Sequence, residues 1–376
     1  MPTSIIARPA LLLLTIALLV AASPMRAQPS AVQGGGTWSQ LGAFGVSSSP
    51  RAFASFNGEL VMAGEFTGIG AGTHFYIGKW NGNAWTSLGS GLSTYAFALA
   101  VFNGELVVAG NFTTAGGAPA SRIARWNGSA WSPLGAGVSG TVLALAVYNG
   151  ELVAGGSFTA AGGAPASRIA RWNGSSWSPL GAGVDGTVRA LAVYNGELVA
   201  GGAFFTAGGV DASRIARWNG SAWSPLALGA NDEVHALAVH GPALYAGGDF
   251  SLVSGVSAPY LARWNGSAWS SVGAGINDEV RALTVYLGEL VAGGWFSTAG
   301  GQPATRIASW DGTSWSALGT GIAAGSPSSG VVHALGAHDG FLAVGGTFSS
   351  AGGTPVLSMA RWQGTVVDPV FSAGFE

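Results

Sequence analysis

Five residues invite a chemical reading. Arg51, Arg189, His235, Arg281 and His333 fall at one recurrent place in a repeating sequence, where two further copies carry Phe97 and Leu143. Guanidinium and imidazole groups gathered at one point would hold a carboxylate or an anionic sugar, because a planar guanidinium donates paired hydrogen bonds to such groups. Trp295 is the one tryptophan outside the repeat. It stands where other copies have Glu65, Asn111, Ser157, Ala203, Asp249 or Thr347. An indole there could stack on a sugar ring or simply anchor a loop. The plainer alternative for the cations is pairing with Asp185, Asp232, Glu233, Asp278 and Glu279 around a solvated rim, where single ion pairs are weak.

Other chemistry finds little footing. No serine–histidine–acid set can be assembled from spacing. His74, His240 and His338 have no ligand spacing, and no D-x-D-x-D-G run is present. Asn231–Asp232–Glu233 and Asn277–Asp278–Glu279 read as calcium ligands or, more simply, as solvated loops. The chain has no cysteine. That removes disulfides, thiolate metal sites, cysteine nucleophiles and a lipoprotein anchor. No catalytic residue, metal or cofactor is assigned.

The elements that position these residues come from the repeat. One tryptophan recurs as Trp80, Trp126, Trp172, Trp218, Trp264 and Trp310, always 46 residues apart, then as Trp362 after 52. A second recurs as Trp38, Trp85, Trp131, Trp177, Trp223, Trp269 and Trp315. A period of this length fits propeller blades and also some helical repeats. Composition decides: glycine is 63 of 376 residues, and the alternating runs are rich in Val, Trp, Tyr and Phe. Helices would not survive that pattern.

Each copy yields four short strands, as in "TVRALAVY", "ELVAGG", "SRIARW" and "SWSPLG". Asn-Gly joins the first to the second and the third to the fourth, and both residues tolerate the positive φ of tight hairpins. A two-residue turn would place Trp172 opposite Ser175 and Ala170 opposite Trp177. The "NGS" triplets at Asn127, Asn173, Asn219 and Asn265 match a glycosylation acceptor but read better as these turns, kept as "DGT" at Asp311. A small sheet with two apolar faces must be sandwiched by neighbours, which a ring achieves. The repeats open on a lone fourth strand, "TWSQLG", and end on a lone third strand, "SMARWQG". The expected fold is all-β: a seven-bladed β-propeller of four-stranded antiparallel blades, the last closed by the N-terminal strand.

At this point the pattern resembles the kelch-type β-propeller. The carrying residues are "ALAVYNGELVAGG" followed by "IARWNGSSWSPLG", over roughly residues 37–364. Gly155–Gly156, Gly201–Gly202, Gly247–Gly248, Gly293–Gly294 and Gly345–Gly346 end the second strands. Two copies depart from this, with Ala63–Gly64 and Ala109–Gly110. The resemblance implies a binding scaffold, with Pro50–Arg51 similar to a strand start that holds acidic ligands. The copper-radical oxidases of this kind need a cysteine, which is lacking here. A sugar epimerase or mutarotase is the other activity the resemblance allows.

Strand direction places the short turns on one face and the longer connections, such as "FTAAGGAPAS", on the other, where sites favour. Outside the ring, residues 1–27 read as an export signal, with an apolar run of thirteen residues too short to span a bilayer. Residues 28–36 are a linker and residues 365–376 a tail. Without the leader the charge is about −4, and nothing suggests nucleic acid. The expected protein is exported, with no stable membrane span after cleavage. It is a non-enzymatic binding module for a carbohydrate or acidic peptide on the long-loop face. The alternative is a sugar epimerase or mutarotase.

Overall fold

The computed structural model describes residues 35–42, 45–69, 72–324 and 330–365. The expected leader, most of the linker and the tail beyond Thr365 lie outside the described residues. So does most of the six-residue insertion near residue 326.

The chain folds as an all-β propeller of four-stranded antiparallel blades. Seven such sheets occur among the described residues. Six run in chain order. The third, for example, takes Val142–Tyr148, Glu151–Gly156, Ile169–Trp172 and Trp177–Pro179. In the seventh, Val331–His338, Phe341–Thr347 and Met359–Gly364 are followed by Gly36–Ser39 from the other end of the chain. That last pairing sets Gly36 against Gly364 and Trp38 against Trp362.

The first joint of each blade is the expected two-residue turn. Asn149 and Gly150 have φ of 49° and 75°, and Tyr148 pairs with Glu151 across them. The second joint differs. Trp172 lies directly opposite Trp177, and Ala170 opposite Pro179. The turn has four residues, because Asn173 uses its side chain: its Oδ1 accepts from the amides of Ser175 and Ser176, both at 2.9 Å. A side chain that mimics the backbone in this way widens the loop. It also puts the two indoles directly opposite one another across the strands rather than on a diagonal.

Every blade contains such a pair, with ring centroids 5.1 to 5.7 Å apart and tilted planes. The second indole of each pair also ties neighbouring blades together. Trp177 Nε1 donates to Leu134 O of the preceding blade at 2.9 Å, and Trp223 Nε1 to Leu180 O. The same bond is made by Trp131, Trp269 and Trp315. Trp38 donates to Leu318 O and Trp85 to Leu41 O. Each apolar cluster accordingly joins two blades. Phe102, Val107 and Ile123 pack with Val142, Leu152 and Trp172 of the next sheet. Burying one tryptophan contributes about 4 kcal/mol or more gross, before ordering entropy is subtracted.

The glycine pair that ends the second strand has a steric reason. A Cβ on Gly155 would come within 2.5 Å of Val188 Cγ1 in the following blade. One on Gly156 would strike Thr141 O and Val142 Cα, where the first strand bulges. The bulge therefore demands glycine at the second position, which every copy keeps, whereas the first position takes Ala63 and Ala109 in two blades.

The long connections are not open loops. In the third blade Ala160–Ala161 pairs with Ala164–Pro165 around Gly162 and Gly163, forming a small hairpin. Ser139 Oγ holds it by accepting from the amides of Thr159 and Ala160.

Candidate functional site

The innermost strand of each blade starts on the face that carries these small hairpins. Its second residue, or the third in the seventh blade, points toward the axis, so one position per repeat meets its counterparts there. Arg51, Phe97, Leu143, Arg189, His235, Arg281 and His333 together line one cavity of about 170 Å³. Beneath it lies a second, of about 240 Å³, walled largely by alanines and leucines such as Ala98, Ala144, Leu145 and Leu191. The five cationic candidates from the sequence are thus brought together. Trp295 is not: it lines neither cavity and stands one strand further out, 37% exposed. Its amide donates to Glu279 O at 2.9 Å, and Arg306 donates to its carbonyl.

The cations are not free. Arg51 Nη2 lies 2.8 Å from Glu65 Oε1, Arg189 Nε 2.6 Å from Glu233 Oε2, and Arg281 Nη2 2.7 Å from Glu279 Oε1. His235 Nε2 lies 2.8 Å from Asp249 Oδ2 and 3.2 Å from Glu279 Oε1. Of the five acids expected to pair with these cations, only Glu233 and Glu279 do. Asp185 instead clamps a small hairpin through the amides of Phe205 and Thr206. Asp232 and Asp278 accept from the amides of Glu233 and Glu279.

Glu65 and Asp249 are the partners that sequence reasoning missed. Each follows its cation by 14 residues, across one tight hairpin. That fixed spacing was the available signal. The same offset from Arg281 reaches Trp295, whose indole offers no hydrogen-bond acceptor, and Arg281 pairs with Glu279 instead.

This arrangement separates the titratable groups. Burial opposes a charge on His235, but hydrogen bonds to Glu279 and Asp249 outweigh it and raise its pKa. Glu279 is penalised by burial, yet hydrogen bonds from His235 and Arg281 bring it down to about 2. Asp249 moves up, first through burial, with His235 and Glu279 acting in opposite senses. His333 falls to about 3, through burial and then through Arg51 and Arg281. The mouth therefore holds a neutral imidazole, His333, and an imidazole poised to carry charge, His235. The Phe97 and Leu143 sector is apolar. With its carboxylates matched to its cations, the mouth offers donors and acceptors side by side.

Comparison with known proteins agrees on architecture. Residues 103–128 and 149–175 match a family described as "Domain of unknown function (DUF5122) beta-propeller". The chain is similar in structure to the WD40 β-propeller domain of Doa1, with TM-score 0.56 and 14% identity over 87% of this chain and 96% of that one. It is also similar to the extracellular domain of the hybrid two component system BT4673 from B. thetaiotaomicron, with TM-score 0.56 and 10% identity. That match covers 88% of this chain and 39% of the other. No curated protein sequence matches. At these identities the likeness is one of fold, and the fold is a β-propeller domain.

Proposed function

We propose that this chain is an exported interaction module, a kelch-like ring of seven blades that binds a ligand at its axial mouth. The observation that carries the reading is the convergence of one residue from every blade on a single cavity. Closure of the ring by the N-terminal strand is supported at the seam. Val46 N donates to Leu357 O, Ser55 Oγ lies 2.8 Å from His338 Nδ1, and a Cβ on Gly345 would meet Pro50. The leader over residues 1–27 supports export.

Ligand chemistry follows from the ion pairs. Arg51, Arg189 and Arg281 already rest on carboxylates, so an acidic peptide would have to displace them. A carbohydrate needs the mixed donors and acceptors that such pairs present, with an apolar wall beside them. We therefore place a carbohydrate ahead of an acidic peptide. Glycan and peptide arrays test this. Glycan hits that disappear in Arg189→Ala and Arg281→Ala are expected, whereas binding that survives both changes refutes the axial site. The second reading, a sugar epimerase, draws on the oppositely shifted histidines at one mouth. Turnover of a sugar by the purified protein would establish it in place of simple binding.

A further inference from the structure

In a chain whose copies are nearly alike, departures from the repeat mark residues that the fold does not demand. At the positions of Glu233, His235 and Asp249 the third blade carries Thr141, Leu143 and Ser157 and folds in the same way. The fifth blade alone carries a carboxylate, an imidazole and a second carboxylate at all three. The sixth adds Glu279 against the same imidazole.

Their separations have a chemical meaning. Two ligand atoms bound to one ion at about 2.1 Å lie roughly 3.0–3.4 Å apart, for octahedral or tetrahedral geometry. Glu279 Oε1 stands 3.2 Å from His235 Nε2, within that range, and Asp249 Oδ2, at 2.8 Å, would have to withdraw by a few tenths of an ångström. Glu233 lies on the other side of the ring, with Oε2 4.0 Å from Nδ1. At that distance it makes no hydrogen bond to the ring, and its Oε2 rests instead on Arg189 Nε at 2.6 Å. The ligand atoms of Glu233, His235 and Asp249 all fall within 4.8 Å of one another.

We infer that His235, Asp249 and Glu279 bind one divalent first-row metal ion at the axial mouth, with the Glu233–Arg189 pair beside the imidazole. The ion takes the place of the proton that Nε2 shares with the two carboxylates. Arg281 and Arg189 remain on Glu279 and Glu233 and limit the negative charge, so that a single dication suffices. One imidazole and two carboxylates suit zinc, manganese or iron(II) better than calcium, which prefers oxygen alone. Three protein ligands leave at least one coordination position for water or a hydroxyl of a ligand in the mouth. The inference adds to the proposed ligand binding, and its test needs no sugar, so the two can fail separately.

The experiment is calorimetric titration of zinc chloride into the purified, chelator-treated full chain. One ion per chain is expected. His235→Gln and Asp249→Asn should each weaken binding by about tenfold or more, as loss of a ligand requires. Glu59→Gln, in the half-buried pair with Lys79 of the first blade, should leave binding unchanged. Circular dichroism melts confirm that each variant is folded. Cobalt(II) provides a second readout: its visible absorption should appear in the parent and be lost in His235→Gln. Overturning results are no binding, an ion retained in folded His235→Gln, or zinc lost equally in the Glu59 control.

Discussion

Trp38 and Trp362 stand opposite one another across two antiparallel strands, their ring centroids 5.1 Å apart, although they come from opposite ends of the folded region. Trp362 is fully buried, and Trp38 Nε1 donates to Leu318 O in the sixth blade at 2.8 Å. One indole pair therefore joins the first and last of the described strands.

Truncating either ring should be costly. Trp38→Ala and Trp362→Ala are each expected to lose about 3–5 kcal/mol, as large aromatic truncations do. Because the rings touch, the double variant should lose less than the two losses added together, with a coupling of about 1 kcal/mol. Denaturant unfolding of the four proteins in the cycle measures this. Additive losses would mean that the seam does not hold through this pair.

The indole nitrogens give a second expectation. Trp177→Phe keeps a ring but removes the donor to Leu134 O. An orphaned carbonyl between blades should cost about 1–3 kcal/mol. Trp172→Phe has no such bond among the described contacts to lose, so at that site only the smaller ring area should count. Thermal melts of both variants provide the comparison.

Ala227 has φ of 54°, in the left-handed region that a side chain disfavours. Other copies have glycine here, as at Gly135 and Gly181. Ala227 is exposed, so its methyl group contributes little packing. Ala227→Gly should therefore stabilise the protein by about 0.5–1 kcal/mol, seen as a rise in denaturation midpoint with unchanged slope.

His333 sets a pH dependence. Its pKa in the folded chain is about 3, below the ordinary 6.5. Above pH 6.5 neither state is protonated, and the group has no effect. As pH falls below 6.5 the unfolded chain takes up a proton that the folded chain refuses, so stability declines toward pH 3. The loss by pH 4 is at most about 3.5 kcal/mol, at roughly 1.4 kcal/mol per unit. His333→Gln should flatten this acid limb when melting temperature is followed from pH 7 to pH 4. An unchanged limb would place the acid sensitivity elsewhere.

The repeat made much of this fold readable. Alternation, Asn-Gly joints and glycine pairs each carry a local steric demand that one sequence displays. The axial position was readable for the same reason, since one place per period returns to one radius. What escaped was side-chain geometry. Asn173 looks like half of a two-residue turn, yet its carboxamide builds a wider one and moves Trp177 opposite Trp172. Glu65 and Asp249 looked like mere variants at the position of Trp295. They prove to face Arg51 and His235 only once the first hairpin is folded. Trp295 departs from the repeat in sequence, and its exposed ring does not line the axial cavity.

The indole bonds between blades also bear on how the chain can go astray. Each reaches only the adjacent wedge, and the partner carbonyl is a leucine or valine in every case. During folding, a wedge that slips into its neighbour's slot still finds an acceptor of the same kind. Local contacts thus give little proofreading among near-identical units. The error surfaces at the pairing of Trp38 with Trp362, where a shift by one unit leaves the leading tryptophan without a mate.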